Sequence, residues 1–379
     1  MTTQRFQSSA ITRLPRFDSP ESPGANSIET MRTNHQKVVV RAFGGVENLD
    51  IEPQNELKPG PGEVVVKLQR VGMNQADLMA RRGEYRLSSG EPPFTPGIEG
   101  GGVIAAVAKD VSDRTVGQRV ILTLGAPAGK GTYRSQFVAK VEETLTVPDA
   151  LPDDLIGALW LPFLTAWGAL VWRQAVQPGQ IVMLPAASSS VAIAASQIVK
   201  QHGGITIGTT TSPAKITALS SLDAAQYDHI VLTPRAESQQ MFKGPQIEQE
   251  QPWWRTVKKI TKGRGVDVIF DPVAAGDFLH HEIRLLAQGG TLWVYGLLGT
   301  PGTVDVSPLI RKDAAIRGWL LNHLAGTAAE QAGYQHILEH VAAGTYALPI
   351  AERFSLSQIR EAHTAMESGN HIGKFILCI

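Results

Sequence analysis

The stretch Leu184–Lys200, LPAASSSVAIAASQIVK, joins an apolar strand to a helix through three consecutive serines. QIVMLPA at 180–186 reads as a buried strand, and SVAIAASQIVKQHG at 190–203 reads as the helix. Such a turn aims the first N–H groups of the helix past the end of the strand, where they and the helix dipole hold a phosphate. Glycine ordinarily occupies this turn because a side chain blocks the close approach of the phosphate. Serine is the next least obstructive polar residue, and its hydroxyl either caps the helix or donates to a phosphate oxygen. Ala192, Ala194 and Ala195 keep the helix slim where it packs near the strand. Two readings fit the turn by itself: a pyrophosphate loop, or a serine-capped connection with no ligand.

The segments that follow decide the fold. ITIGTTT at 205–211 leads into PAKITALSSL at 213–222, and HIVLT at 229–233 comes next. After a polar interval come helix PWWRTVKKITK at 252–262, strand VDVIFDP at 266–272, helix GDFLHHEIRLLAQ at 276–288 and strand GTLWVYGLLG at 290–299. Strands alternating with helices are βαβ units, which build a doubly wound parallel sheet covered on both faces. Upstream the texture differs. KVVVRAF, GEVVVKLQRVGM, GGGVIAAVA and QRVILTL, between residues 37 and 124, are short β-branched runs separated by glycine and proline. They predict a mainly β region of about 110 residues, the scale of a small barrel or sandwich. DDLIGALWLPFLTAWGALVWRQA at 153–175 reads as a helix broken near Pro162, and the chain after Asn322 as helical with a closing strand, KFILCI. The fold class is α/β.

Composition narrows the function. The chain has 379 residues with 35 basic and 35 acidic side chains, so nothing points to a nucleic-acid or polyanion partner. The single cysteine, Cys378, excludes a disulfide framework and a multi-cysteine zinc site, and fits a reducing compartment. No apolar run reaches the roughly 18 residues a membrane span needs. Residues 1–35, rich in Ser, Thr, Pro and Arg, read as a disordered extension. Residues 1–17 carry Arg5, Arg13 and Arg16 and no acid, which also suits an organelle transit peptide. The expected location is the cytoplasm, with mitochondrion or plastid as the alternative a transit peptide brings. PRAESQQMFKGPQIEQEQP at 234–252 reads as a surface insertion.

The end of the second strand bears on the cofactor. An NAD site wants an acid there for the ribose 2′-OH. This chain has Thr209, Thr210, Thr211 and Ser212, then Lys215, with no acid until Asp223. Hydroxyls and a lysine suit a 2′-phosphate and so NADP; the other reading of Lys215 is a solvated lysine at a helix start.

Several stretches together carry a family resemblance: PGPGEVVVKLQRVGMNQADLMARRGEY, PPFTPGIEGGGVIAAV, GKGTYRSQFVA, LPFLTAWGAL, GRGVDVIFDPV, GGTLWVYGLLG and HIGKFIL. In order and spacing the chain resembles the medium-chain dehydrogenase/reductase superfamily, in its zinc-free quinone oxidoreductase-like branch, over about Lys37 to Ile379. Some members of that branch are similar in carrying AASSSVG where most have glycines; here Ala192 replaces the remaining glycine. The resemblance implies a GroES-like catalytic domain at 36–155 and 323–379 around a Rossmann-type NADP-binding domain at 156–322. It implies cofactor contacts from Ser188, Ser189, Ser190 and Val191 in the serine turn, from Thr210, Ser212 and Lys215, and from Thr165 near the nicotinamide. Asp271, Pro272 and Val273 after one strand, Tyr295 and Gly296 after the next, and Lys374 at the phosphates complete the set.

Zinc members of the superfamily place a cysteine in GxCxxD and a histidine in GHE. The matching residues here are Asn74 in GMNQAD and Ile98 in GIE, neither of which serves a His/Cys zinc set. His336 and His340, one helical turn apart, have no evident third ligand and read as a solvated helix face. No metal is therefore expected. Without one, hydride from NADPH suits acceptors that delocalise the added charge themselves, namely quinones and α,β-unsaturated carbonyls. By family position Asn74 would hydrogen-bond the acceptor or cofactor, and Tyr85 would donate a hydrogen bond or a proton; the plain readings are a turn residue and a packed aromatic. The leading expectation is an NADPH-dependent reductase of such small molecules. The alternatives are an enoyl-thioester reductase and a non-catalytic NADPH-binding protein. The resemblance and the apolar stretch LWVYGLLGTPGTVDVS, read as ending at a sheet edge, lead to the expectation of a homodimer.

Overall fold

The computed structural model describes residues 35–86, 90–127, 129–234 and 251–379. The predicted N-terminal extension and nearly all of the 234–252 insertion lie outside the described residues.

The early β-branched runs become β1 (Gln36–Val40) and β2 (Leu49–Pro53), a small antiparallel ribbon, followed by β3 (Glu63–Gly72), β4 (Gly101–Val107), β5 (Arg119–Leu122), β6 (Gln136–Lys140) and β7 (Thr144–Thr146). Helix α1 (Gln75–Arg82) interrupts this β region after β3 and stops at Gly83, whose φ of 81° is left-handed and favours glycine. Two late strands, β14 (Ile350–Ser355) and β15 (Lys374–Cys378), return to the same sheet in the order β14-β15-β3-β4-β5-β7, with β6 also paired to β3. β14 was not anticipated. In IAERFS only Phe354 is buried, so an edge strand with one inward side chain leaves little apolar pattern to read.

The second sheet has six strands, all parallel. β8 (Ile181–Leu184) and β11 (Val266–Asp271) are central, with β9 (Ile205–Thr210) and β10 (His229–Leu232) on one side and β12 (Leu286–Val294) and β13 (Ala315–Gly318) on the other. From β8 the chain winds outward through β9 and β10. It then returns to β11 and winds the opposite way. The reversal between β8 and β11 is the topological switch point where open α/β sheets bind ligands. The connecting helices are α2 (Trp160–Trp167), α3 (Ser190–Gln201), α4 (Pro213–Ser220), α5 (Trp253–Ile260), α6 (Gly276–Leu285), α7 (Ser307–Lys312), α8 (Ala328–Ala342) and α9 (Ile359–Glu367). Helix α3 buries the run Ala192–Val199, and burial of each large aliphatic side chain in it contributes roughly 1.5–3 kcal/mol.

Three local expectations change. Pro162 does not break α2: it sits in the first turn, where the missing N–H costs nothing, and the helix runs on as a π-turn over Gly168–Arg173. The helix predicted to 288 ends at Leu285, because Leu286 turns extended and pairs with Val266 at the start of β12. The stretch expected to continue as a strand to an edge leaves the sheet at Val294, and the edge is β13 instead.

The floor between β3, β4 and the approach to α2 is built on glycine contacts. A Cβ on Gly157 would lie 1.8 Å from the Arg70 carbonyl oxygen, and one on Gly101 would lie 2.1 Å from that of Ile156. Backbone therefore meets backbone at this point, and Gly72 N–H donates to Gly157 O at 2.7 Å.

Candidate cofactor and active-site cleft

A cleft of about 1000 Å³ opens at the carboxyl ends of the parallel strands. The serine turn forms one lip. Ser189 is the N-cap of α3, and its Oγ accepts from Ala192 N–H at 3.2 Å. Ser190 and Val191 are the first two residues of the helix and line the cleft. Their N–H groups have no acceptor within the helix. The tight bend a glycine would supply is made by Ala186, at φ 53°. Gly373 N–H donates to Ser188 O at 2.9 Å, so the turn is fastened to the start of β15.

Lys215 is not a solvated helix-start lysine. Its ammonium reaches back to Ser188 Oγ at 2.9 Å and to Gly369 O at 2.6 Å, at the edge of the cleft beside Thr210. Ser212 stands at the N-cap position of α4 without a side-chain cap bond, its N–H donates to Thr210 Oγ1 at 3.3 Å, and it is not among the residues that line the cleft. Among the described residues, none that lines the cleft is acidic. This donor set of helix-start N–H groups, hydroxyls and a lysine fits a dinucleotide carrying phosphates.

The floor is a buried polar network. The Lys374 ammonium lies 2.7 Å from Glu99 Oε2 and 2.6 Å from Asn74 Oδ1, with the two charged side chains 1% and 0% exposed. Glu99 Oε1 accepts from Leu161 N–H at 3.0 Å, and Asn74 Nδ2 donates to Gly72 O at 3.1 Å. Lys374 was expected at the cofactor phosphates. Its charge is instead neutralised by Glu99, and its role shifts to fixing the orientation of the Asn74 amide. Behind Asn74, Asp77 Oδ2 accepts from Asn74 N–H at 2.8 Å and from the Tyr133 hydroxyl at 3.0 Å. Burial pushes Asp77 from 3.8 up to about 7.

That shift has a sign. The folded chain holds a proton on Asp77 between 3.8 and about 7 that the unfolded chain has lost, so this group's contribution to stability falls as pH rises through that window. Asp77→Asn keeps both hydrogen bonds and removes the titration. Urea unfolding at about pH 5 and pH 8 is expected to show a smaller stability loss in the variant than in the parent. An unchanged pH dependence would mean that Asp77 stays ionised.

Asp271 is a second correction. It is fully buried, and its two oxygens accept from Val273 and Ala274 N–H at 2.7 Å each, so it closes its own loop instead of facing the cleft. Burial raises Asp271 to about 6. Burial, followed by the neighbouring Asp271 charge, pushes Glu282 well above the usual carboxylate range, which makes Glu282 the proton-bearing partner of the pair. Pro272, Val273, Tyr295 and Gly296 do line the cleft. Tyr295 stacks on Phe270 at 3.9 Å between centroids. Thr165 lines it too, with Oγ1 on Leu161 O at 2.7 Å and its carbonyl accepting from Trp319 Nε1 at 2.9 Å. Tyr85 lies at the mouth, half-buried, and burial raises its hydroxyl above 10.0, which favours hydrogen-bond donation over proton release. Ile98, Leu124, Leu297 and Trp319 supply apolar lining to the cleft.

His336 and His340 do share a face of α8, but they are half-buried rather than solvated, bonded to the Tyr346 hydroxyl at 2.9 Å and to Thr345 Oγ1 at 2.7 Å. Among the described residues, no group of three or more His, Cys, Asp or Glu is arranged to hold a metal ion, and no helix is long and apolar enough to cross a membrane.

Residues 60–149 match the family model described as alcohol dehydrogenase GroES-like domain, and residues 245–377 match that of zinc-binding dehydrogenase. The chain belongs to the medium-chain dehydrogenase/reductase superfamily. As a member of it, the protein is an oxidoreductase with a nicotinamide cofactor. Similar proteins include the synaptic vesicle membrane protein VAT-1 homolog of Danio rerio, 28% identical over 90% of this chain and 70% of that protein. A 2-haloacrylate reductase of Burkholderia sp is 27% identical over 89% of this chain and 97% of its own. The quinone oxidoreductase of Sus scrofa is 26% identical over 89% and 95%. Among solved structures, mycobacterial Rv1454c complexed with NADPH has the same fold at TM-score 0.77 and 23% identity, covering 91% of this chain and all of that one (100%).

Glu99, Asp77 and His371, all at or behind the cleft, were missed from sequence. Glu99 and Asp77 were in view, in GIE and GMNQAD, but an acid next to a turn signals exposure until its buried partners are known.

Proposed function

We propose that this superfamily member binds NADPH in the cleft and reduces a quinone or an α,β-unsaturated carbonyl without zinc. The observation that carries the reading is the Asn74 amide. Where zinc relatives have a cysteine ligand, its oxygen is held by the Lys374 ammonium at 2.6 Å, and Ile98 beside it has no ligand atom. These residues do not fit a zinc ion. Bound NADPH supplies hydride at its nicotinamide. The protein's part is to hold the phosphates on the Ser190 and Val191 N–H groups and on Lys215, to keep water out with the apolar lining, and to steady the acceptor carbonyl by a hydrogen bond from Tyr85; the Asn74 Nδ2 protons go to Gly72 O and, at 3.4 Å, to Glu99 Oε2, so Asn74 shapes the floor instead. In this reading residues 36–155 with 323–379 carry the acceptor side and 156–322 the cofactor side.

The test is NADPH consumption with a panel of quinones, enones and enoyl thioesters, in buffer with and without a chelator. Turnover that a chelator abolishes, or stoichiometric zinc by elemental analysis, would contradict zinc independence. Turnover confined to enoyl thioesters would move the substrate class.

NADPH is expected to bind more tightly than NADH, because no acid follows β9 and Lys215 is present. Lys215→Glu exchanges a charge-assisted contact for a repulsion. It should weaken NADPH by at least about tenfold more than NADH, a difference of about 1.4 kcal/mol. Equal losses would remove Lys215 from the phosphate site.

We further propose a homodimer through the cofactor-side sheet. β13 is an edge strand, and Ile310 and Val306 near it are 86% and 53% exposed. A monomer mass at micromolar concentration would contradict it.

A further inference from the structure

His371 sits at the end of the cleft where β15 is fastened to the serine turn, and it lines the cleft. Its ring packs on Phe375 at 4.4 Å between centroids. Its Nδ1 is buried and has no hydrogen-bond partner, whereas buried side-chain nitrogens are ordinarily bonded. The charged group facing it is Lys215 of α4, anchored on Ser188 Oγ and Gly369 O. Phe375, packed on the ring, carries no charge. Burial first, and Lys215 second, hold the imidazole down at about 4, so it is neutral in the free protein. Two groups able to carry positive charge therefore converge on one end of a cleft whose described lining has no acid.

We propose that His371 and Lys215 together hold the ribose phosphate that distinguishes NADPH from NADH, and that His371 takes a proton from solvent as that phosphate binds. This rests on the NADPH reading above and adds to it a second specificity residue. A phosphate oxygen supplies the imidazole with a hydrogen-bond partner, and its negative charge offsets the repulsion from Lys215. The imidazole nitrogen gains one proton from water or buffer, and no electrons move. The sign follows by linkage. The complex holds more protons than its separated parts, so affinity for the phosphorylated cofactor falls as pH rises, from about 4 up to the higher value of the bound state. The cofactor lacking that phosphate has no such dependence on His371.

The experiment is calorimetric titration of the full chain with NADP⁺ and with NAD⁺, at about pH 6 and pH 8, in two buffers of different ionisation enthalpy. The parent is compared with His371→Gln, and with His371→Asn in case the first variant melts early. Relative to the variant, the parent is expected to take up close to one more proton with NADP⁺ at the lower pH, and to lose about tenfold in affinity at the higher, as a rise of about three pKa units from about 4 gives. The variant is expected to lose that uptake. The phosphate's own titration near pH ~6 is common to both proteins and cancels in the comparison. A folded variant with the parent's proton uptake would overturn the role of His371 while NADPH preference stands. A parent that binds NADP⁺ no more tightly than NAD⁺ would overturn both.

Discussion

Ser189→Asp is expected to weaken both NADPH and NADH by about a hundredfold, near 2.7 kcal/mol, while leaving the protein folded. Ser189 caps α3 at the lip of the cleft, and the N–H groups of Ser190 and Val191 beyond it have no acceptor within the helix. A carboxylate at the cap competes for those donors and repels the pyrophosphate; one or two lost charged hydrogen bonds, at about 1.5–3 kcal/mol each, account for the size. The fold survives because aspartate is as good a cap as serine, and a negative charge at a helix start is favourable by about 0.3–1 kcal/mol. Ser189→Gly should cost only a few tenths of a kcal/mol in stability. Fluorescence titration beside a thermal melt reads both effects. Unchanged binding in a folded aspartate variant would mean that the turn is only a cap.

Lys374→Met is expected to be the most destabilising of the site substitutions, at about 3–5 kcal/mol. Glu99 is wholly buried, and its remaining contacts are the Leu161 N–H and, at 3.4 Å, the Asn74 Nδ2. Removing the ammonium leaves that charge inside an apolar surround. The double change Lys374→Met with Glu99→Gln should recover most of the loss, because a buried pair is stabilising mainly relative to half of itself. Both variants also free the Asn74 amide oxygen, so NADPH turnover should stay low even where stability returns. A single variant that loses less than about 1 kcal/mol would mean that water reaches Glu99.

The serine turn was legible because its determinants are local: an apolar strand, a capping residue and small residues in the first helical turns. The alternation after it gave the parallel sheet for the same reason. Lys374 was misread because its acceptor, Asn74, is 300 positions away. A lysine near the end of a chain gives no sign that a glutamate waits beneath it. Asp271 misled in the opposite direction. An acid after a buried strand at the switch point looks like a ligand, yet its oxygens fold back on Val273 and Ala274. Ala186 hid the turn's geometry, since a positive φ that normally advertises itself as glycine is carried there by alanine.

The most direct test of the account is reduction of an enone or quinone by NADPH deuterated at its nicotinamide C4, with chelator present, followed by mass spectrometry of the product. The account predicts NADPH consumption and one deuterium carried into the enone product, or stoichiometric NADPH loss with a quinone. NADPH that binds the folded protein but is consumed with none of the acceptors, or only after metal is added, would contradict it.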